Sequence, residues 1–261
     1  MSESKEIKDR DIVEDAKTML EFYQALGIEG IPVTLREPRK GRRTAPCAVH
    51  IEGQGTPAGE GTEGTDRPKY SRDEKIALLK EVRETIGDCT RCRLSENRRQ
   101  IVFGEGDPDA KIMFIGEAPG KEEDIQGLPF VGDAGILLTK LIEKMGLTRS
   151  GVYIGNIVKC RPPMNRDPEA DEIATCRQFI ERQIGIIQPA VIVTLGRIAL
   201  QTFTDNPKMK ITAARGKFFY FKEVPVMPTF HPAYLLRNPS DKWKTWADAQ
   251  KVLERIGMSG K

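Results

Sequence analysis

From Ser71 onward, short β-branched or aromatic runs alternate with stretches of helical periodicity, and this alternation restricts the fold more than any other feature of the 261-residue chain. The strand segments read Ile112 to Gly116, Val152 to Val158, Val191 to Leu195, Phe218 to Phe221 and Val224 to Met227. The helical segments read Gly135 to Lys144, Ala170 to Ile187, Arg197 to Phe203 and Trp243 to Ile256. Ahead of them, Ser71 and Glu74 fit a capping box before Ile76, Leu79, Val82 and Ile86. Strands that are apolar almost throughout need cover on both faces, so the pattern predicts an α/β fold with a mostly parallel sheet between helices. There is no internal repeat.

Upstream, residues 1–35 contain one helix candidate, Asp11 to Leu26, which either docks on its own domain or meets a partner groove. Residues 36–70 form a flexible linker, because Arg36 to Lys69 hold six Gly and four Pro and almost no large apolar side chains. The folded domain is therefore expected over 71–261. No stretch approaches the roughly 20 apolar residues of a spanning helix. The start, MSESKEIKDRDIVED, is charged where a signal peptide would be apolar, so a cytoplasmic location is expected. Residues 1 to 70 carry 11 basic and 13 acidic residues, so the chain's net +3 comes from the folded part. That excess permits contact with a phosphate backbone without requiring it.

Five cysteines in such a chain do not make a disulfide framework, which leaves metal ligation or a reactive thiol. Cys47 and His50 lie in the linker with no partner at ligand spacing. Cys89 and Cys92, in CTRC, have the spacing that lets two sulfurs face one ion, and Cys160 and Cys176 complete a set of four. Ligand count alone leaves zinc and a four-iron cluster both open.

KIMFIGEAPG, residues 111 to 120, is a strand ending in a glycine-bearing loop, the place where open α/β sheets bind ligands. Neither G-x-G-x-x-G nor a P-loop is completed, which argues against an NTPase. Glu117, Glu122, Glu123 and Asp124 read as a solvated acidic turn, or with Asp124 capping a helix, or else as carboxylates that orient water or stabilise a cation. Phe130, in GLPFVGDAG, suits a planar ligand as well as it suits a core. His231 precedes Pro232 in TFHPAYLLRNP, with no serine-hydrolase motif in the chain. The finger after it could wedge Leu235 and Leu236 into a base stack while Arg237 holds a phosphate.

These segments together resemble the iron-sulfur (family 4) uracil-DNA glycosylases: CTRC, GEAPGKEED at 116 to 124, GLPFVGDAG at 127 to 135, YIGNIVKCRPP at 153 to 163, Cys176, and HPAYLLRNP at 231 to 239. The resemblance implies a three-layer α/β/α sandwich around a short, mostly parallel sheet. It also implies a [4Fe-4S] cluster on Cys89, Cys92, Cys160 and Cys176 that braces loops near DNA and takes no redox part in base removal. By the same resemblance Asn156 reads the uracil edge, Phe130 stacks on the ring, and His231 faces O2. The Gly116 to Gly120 loop, with Ala118, lends backbone N–H groups; Glu117 places water and Glu123 guards the C5 edge. Ala118 stands where some other uracil-DNA glycosylases carry a catalytic Asp.

The implied activity is hydrolysis of the uracil N-glycosidic bond in single- or double-stranded DNA by a monomer, leaving an abasic site for base excision repair. Two alternatives stand beside it. One is a metal-cluster DNA-binding module without catalysis. The other is the related class that attaches covalently to DNA, although no histidine lies between Asn156 and Cys176 to serve it. QALGI at 24 to 28 resembles a clamp-binding peptide, which would make a sliding clamp or another repair protein a partner.

Overall fold

The computed structural model of the protein describes residues 69–258. The N-terminal helix, the clamp-like peptide, Cys47, His50 and nearly all of the linker lie outside the described residues. The first helix, α1 (Arg72–Ile86), opens on the expected capping box, with the Ser71 hydroxyl accepting from Glu74 N and the Glu74 carboxylate accepting from Ser71 N at 2.7 Å. Six strands follow: β1 (Glu105–Gly106), β2 (Ile112–Gly116), β3 (Tyr153–Asn156), β4 (Val191–Leu195), β5 (Phe219–Phe221) and β6 (Val224–Thr229). They form one sheet in the order β1-β3-β2-β4-β6-β5. The four central strands are parallel, and the two edge strands pair antiparallel.

The helices among them are α2 (Lys121–Gln126), α3 (Asp133–Lys144), α4 (Ala170–Ile187), α5 (Arg197–Thr204), α6 (Ile211–Ala214), α7 (Pro232–Arg237) and α8 (Lys242–Arg255). Successive side chains of a strand point to opposite faces, and the core divides accordingly. Met113, Ile115, Tyr153, Ile192 and Val226 join α1, α4 and α5 on one face. Ile112, Phe114, Ile154, Val193 and Met227 join α3 and α8 on the other. The three layers are thus α/β/α, as expected. No helix of the described residues is long and apolar enough to cross a membrane.

Three differences from the sequence pattern bear on the site. The second expected strand stops at Asn156 instead of Val158, because the chain turns there toward Cys160, keeping only Ile157 N to Gly116 O and Val158 N to Glu117 O. The acidic stretch after Gly120 is a helix, α2, and the segment after His231 is another, α7; both are too short for periodicity to mark them. β6 runs on to Thr229 through Pro225 and Pro228, carrying the chain to the position of His231.

A buried polar group fixes α8 to that strand end. Asp248 accepts from Arg215 Nε at 3.0 Å and Nη2 at 2.5 Å, and from the Thr229 hydroxyl at 2.7 Å. Burial raises its pKa, so the carboxylate depends on these donors. Removing it takes away the anion that neutralises Arg215, which keeps only the Lys244 carbonyl, and leaves the Thr229 hydroxyl only the longer contact to Thr245 at 3.3 Å. Asp248→Ala is expected to lose about 3 kcal/mol in urea unfolding. Glu84→Ala, at an exposed pair with Lys80, is expected to lose at most about 0.5 kcal/mol. Equal effects would refute the assignment.

Candidate active site

The C-terminal ends of β2 and β3 and the turn after β6 converge on a cleft of about 450 Å³. It brings together Glu117, Ala118, Glu123, Phe130, Asn156, His231 and Arg237 from five separate segments. Gly116 lies directly behind it. A Cβ there would stand 2.5 Å from both Asn156 Oδ1 and the Phe130 ring, so only glycine lets those two side chains meet over the strand end.

Asn156 is the last residue of β3 and 1% exposed, and its Oδ1 has no hydrogen-bond partner. A buried acceptor left unpaired costs about 1–3 kcal/mol, which is expected where a ligand supplies the missing donor. The backbone of Asn156 is held from below: fully buried Lys159 donates its Nζ to Asn156 O at 3.0 Å and to Gln183 Oε1 at 2.7 Å. Burial brings the Lys159 ammonium down to about 8.

Phe130 sits at φ +51°, a left-handed backbone that a bulky residue adopts only under constraint. Its flanks are clamped on both sides. Before it, Arg149 donates to Pro129 O while also donating to Glu105 at 2.6 and 2.8 Å. After it, Glu123 Oε1 accepts from Val131 N at 2.9 Å and Gly132 N at 3.1 Å. A Cβ on Gly135 would fall 1.9 Å from Phe130 O. The strained ring therefore stands ready for a ligand, 5.7 Å from the His231 ring.

His231 caps α7, its Nδ1 accepting from Ala233 N at 3.1 Å. Burial, then the Arg237 charge, lowers its pKa to about 4, against a smaller raising effect from Glu123. The imidazole is neutral at physiological pH, and with Nδ1 used as an acceptor its proton sits on Nε2. Gly196 makes room for it, since a Cβ at that residue would meet His231 Cβ at 2.9 Å.

Burial pushes the Glu117 carboxyl up to about 7, with Asp167 adding to the rise and Arg197 opposing it. Asp167 and Arg197 form an ion pair with each other. The acidic stretch is therefore not a solvated turn. Glu122 is exposed, but Glu123 and Asp124 are buried. Asp124 does not cap a helix; its Oδ1 accepts from Arg99 N at 2.8 Å and Gln100 N at 3.4 Å, tethering the segment that follows the first cysteine pair.

The finger expectation needs one correction. Leu235 is 4% exposed and packs on Leu137 and Phe230, because one face of α7 is used to attach the helix. Leu236, 43% exposed, and Arg237 are the outward residues of that trio. Of the two tryptophans of α8, Trp246 is buried in the core and Trp243 is half-buried.

On the α1 and α4 side of the sheet, Cys89, Cys92, Cys160 and Cys176 line one small cavity with Ile86, Ile101 and Phe179. All four are free thiols. Burial pushes the Cys160 thiol up to about 12 and raises Cys176 too, which argues against either being a reactive nucleophile. Hydrogen-bond donors approach the sulfurs: Arg91 Nη1 to Cys89 at 3.1 Å, Lys159 N to Cys176 at 3.3 Å and Arg98 Nη1 to Cys160 at 3.7 Å. Among the described residues no three His, Cys, Asp or Glu side chains, these four cysteines included, converge closely enough to hold a metal ion. Sequence reasoning missed Lys159, Arg149 and Arg197, whose side-chain partners Gln183, Glu105 and Asp167 lie 24, 44 and 30 residues away. A lysine inside the apolar run of YIGNIVKC was the one local sign of them.

Comparison with known proteins is consistent with this geometry. The family model of the uracil DNA glycosylase superfamily matches residues 103–255. The type-4 uracil-DNA glycosylase of Thermotoga maritima is 50% identical over 194 residues, covering 73% of this chain and 100% of that protein. This chain belongs to the type-4 uracil-DNA glycosylase family. The type-4 enzyme of Sulfurisphaera tokodaii is 47% identical over 184 residues, or 67% of this chain and 84% of that protein. A type-5 uracil-DNA glycosylase of Thermus thermophilus is 37% identical over 115 residues, or 38% of this chain and 52% of its own length. The superfamily match begins beyond Cys89 and Cys92, so that half of the cysteine set lies outside it.

The surroundings of Glu117 predict how its titration responds to neighbours. Asp167→Asn removes a negative neighbour and should bring the Glu117 midpoint down from about 7, whereas Arg197→Gln should raise it. Carboxyl carbon NMR across a pH series reads both, and a midpoint indifferent to the two changes would rule out their influence.

Proposed function

We propose that this protein removes uracil from DNA by hydrolysing its N-glycosidic bond, leaving an abasic site for base excision repair. The observation that carries this reading is the buried, partnerless Oδ1 of Asn156 beneath the Phe130 ring and beside a neutral imidazole. Uracil offers a donor at N3–H and an acceptor at O4. A fixed amide answers both, its Oδ1 accepting from N3–H and its Nδ2 donating to O4. Cytosine presents an acceptor at N3 and an amine at position 4, so both bonds fail, leaving buried groups unpaired.

Inside a duplex the base is out of reach, so the nucleotide must be extruded, at a cost of a few kcal/mol that contacts at the cleft mouth offset. Phe130 stacks on the extruded ring. Cleavage places positive charge on the sugar and negative charge on the base. His231 Nε2–H donates to uracil O2 as that charge develops, and being neutral it stabilises the anion without giving up its proton. One such donor is typically worth about 2.7–4 kcal/mol. Glu117, half-buried near the sugar side, holds the attacking water and faces the cationic sugar when ionised, the form that prevails above pH about 7. Glu123 spends one oxygen on the Phe130 loop and lines the cleft where the C5 edge would lie, so a thymine methyl meets a braced wall.

We further infer that Cys89, Cys92, Cys160 and Cys176 hold a [4Fe-4S] cluster. Four thiols around one cavity, with N–H donors directed at three of the sulfurs, supply the cysteine ligands and the sulfur hydrogen bonds that such a cluster uses. When bound, the cluster supplies cross-linking between the segment after α1, the turn after β3, and α4. No electron transfer is needed for glycosidic hydrolysis.

The decisive assay incubates the protein with a uracil-containing oligonucleotide, measures free uracil and cleaves the strand at abasic sites. His231→Ala is expected to slow excision about a hundredfold or more, with little change in affinity for uracil-containing DNA. No uracil release by the folded wild-type protein refutes the function. The cofactor has its own measurement: iron and acid-labile sulfide in the purified protein with broad visible absorbance, all lost on Cys176→Ser. Stoichiometric zinc without iron would refute the cluster.

A further inference from the structure

The cleft mouth has a second bank besides α7. Pro162, Asn165 and Arg166 line it, and they flank a single turn, Pro163 to Asn165. At its tip Met164 is 92% exposed, so its side chain makes almost no contact with its own fold. Its backbone is left-handed, φ 54° and ψ 20°, and Asn165 follows at φ 55°. Asparagine tolerates that region; methionine pays about 1–2 kcal/mol to stay there. Two unfavourable conditions, an apolar side chain in water and a strained backbone, thus fall on one residue, and no contact of Met164 offsets either.

The turn is held rigid all the same. Asn165 N and Arg166 N donate to Pro162 O and Pro163 O, each at 3.1 Å, and Arg161 Nε donates to Asn165 Oδ1 at 2.7 Å. Arg166 is anchored bidentately, at 2.8 and 2.6 Å, on Glu172, which is fully buried at the start of α4. Surroundings that impose strain on an exposed residue are the mark of a site shaped for something outside the chain.

We propose that Met164 is a second apolar prong that enters the base stack beside the extruded nucleotide, with duplex DNA as its partner. The inference rests on the uracil-excising reading of the cleft and adds a residue to it. Unbranched and polarisable, a methionine side chain packs well against base faces, and methionine is among the residues that wedge between base steps. Of the two flanking cations Arg166 is committed to Glu172, whereas Arg161, bonded to the neutral Asn165 amide, brings its charge beside the prong for a phosphate oxygen. Leu236 supplies the other prong from α7. A duplex must be unstacked on both sides of a flipped nucleotide, whereas a single strand has little stacking to break, so the prong acts chiefly on duplex substrate.

Met164→Gly deletes the prong while relieving the backbone strain, so the turn and the thermal midpoint are kept. Met164→Gln keeps length and removes apolarity, and Met164→Leu restores it. Single-turnover excision is measured on duplex and single-stranded substrates of the same sequence. The Gly and Gln variants are expected to lose about tenfold on duplex and less than about threefold on single strands, with Leu near wild type. The fluorescence of a 2-aminopurine placed next to the uracil, which rises when its neighbours unstack, should respond less in both defective variants. Equal losses on the two substrates, or none, overturn the prong while leaving the glycosylase reading intact. A wild-type protein that releases uracil from neither substrate overturns both.

Discussion

A buried amide oxygen without a donor is the constraint around which this fold is arranged. Asn156 can be kept in that condition only because its neighbours allow it no alternative: Gly116 leaves room for it, Phe130 covers it, and Lys159 holds its carbonyl from beneath. Each of those supports is itself an energetic concession. Phe130 has a left-handed backbone and Lys159 an ammonium taken wholly out of water. A parallel sheet with both faces covered provides the rigid frame that sustains them, and its strand ends are where backbone groups are left without sheet partners.

The cysteine cavity and the cleft lie on opposite sides of short stretches of chain, and the same residues serve both. Lys159 stands between Asn156 and Cys160, its backbone N donating to Cys176 and its ammonium to Asn156 O. Glu172, one helical turn before Cys176, joins Arg166 of the cleft wall to Arg93, next to Cys92. Loss of the cluster proposed to sit on the cysteines would thus be felt first in the floor and rim of the cleft. A stabilising cofactor far from the reacting atoms can govern activity through this geometry, without taking part in the chemistry.

Charge is divided to suit a reaction that separates charge. The His231 imidazole, proposed to face the leaving base, is kept neutral by burial and by Arg237. The Glu117 carboxyl, proposed to face the sugar, lies near the midpoint of its titration, where burial and Asp167 contend with Arg197. Asp248 and Lys159 are shifted by burial as well, so what sets His231 and Glu117 apart is that a raised acid and a depressed base line one cleft.

Much of this was legible in the linear chain because it is local. Strand and helix periods, the Ser71 and Glu74 capping box, and the CTRC spacing each depend on residues a few positions apart. The cleft residues were legible through ordered motifs that resemble a family, not through any physical period. Pairings across the sheet were not legible. Nothing near Glu123 or Asp124 in the sequence announces that one braces Val131 and Gly132 while the other holds Arg99 and Gln100. Leu235 and Leu236 are the same residue type side by side, and only the docking of α7 on Phe230 and Leu137 turns one inward and leaves the other exposed. The sequence by itself determined the layers, the ligand-type residues and the chemistry available. The tertiary structure decided which charges are buried, which acceptor goes unpaired and which apolar side chains remain outside, because desolvation and partner choice are properties of the assembled neighbourhood.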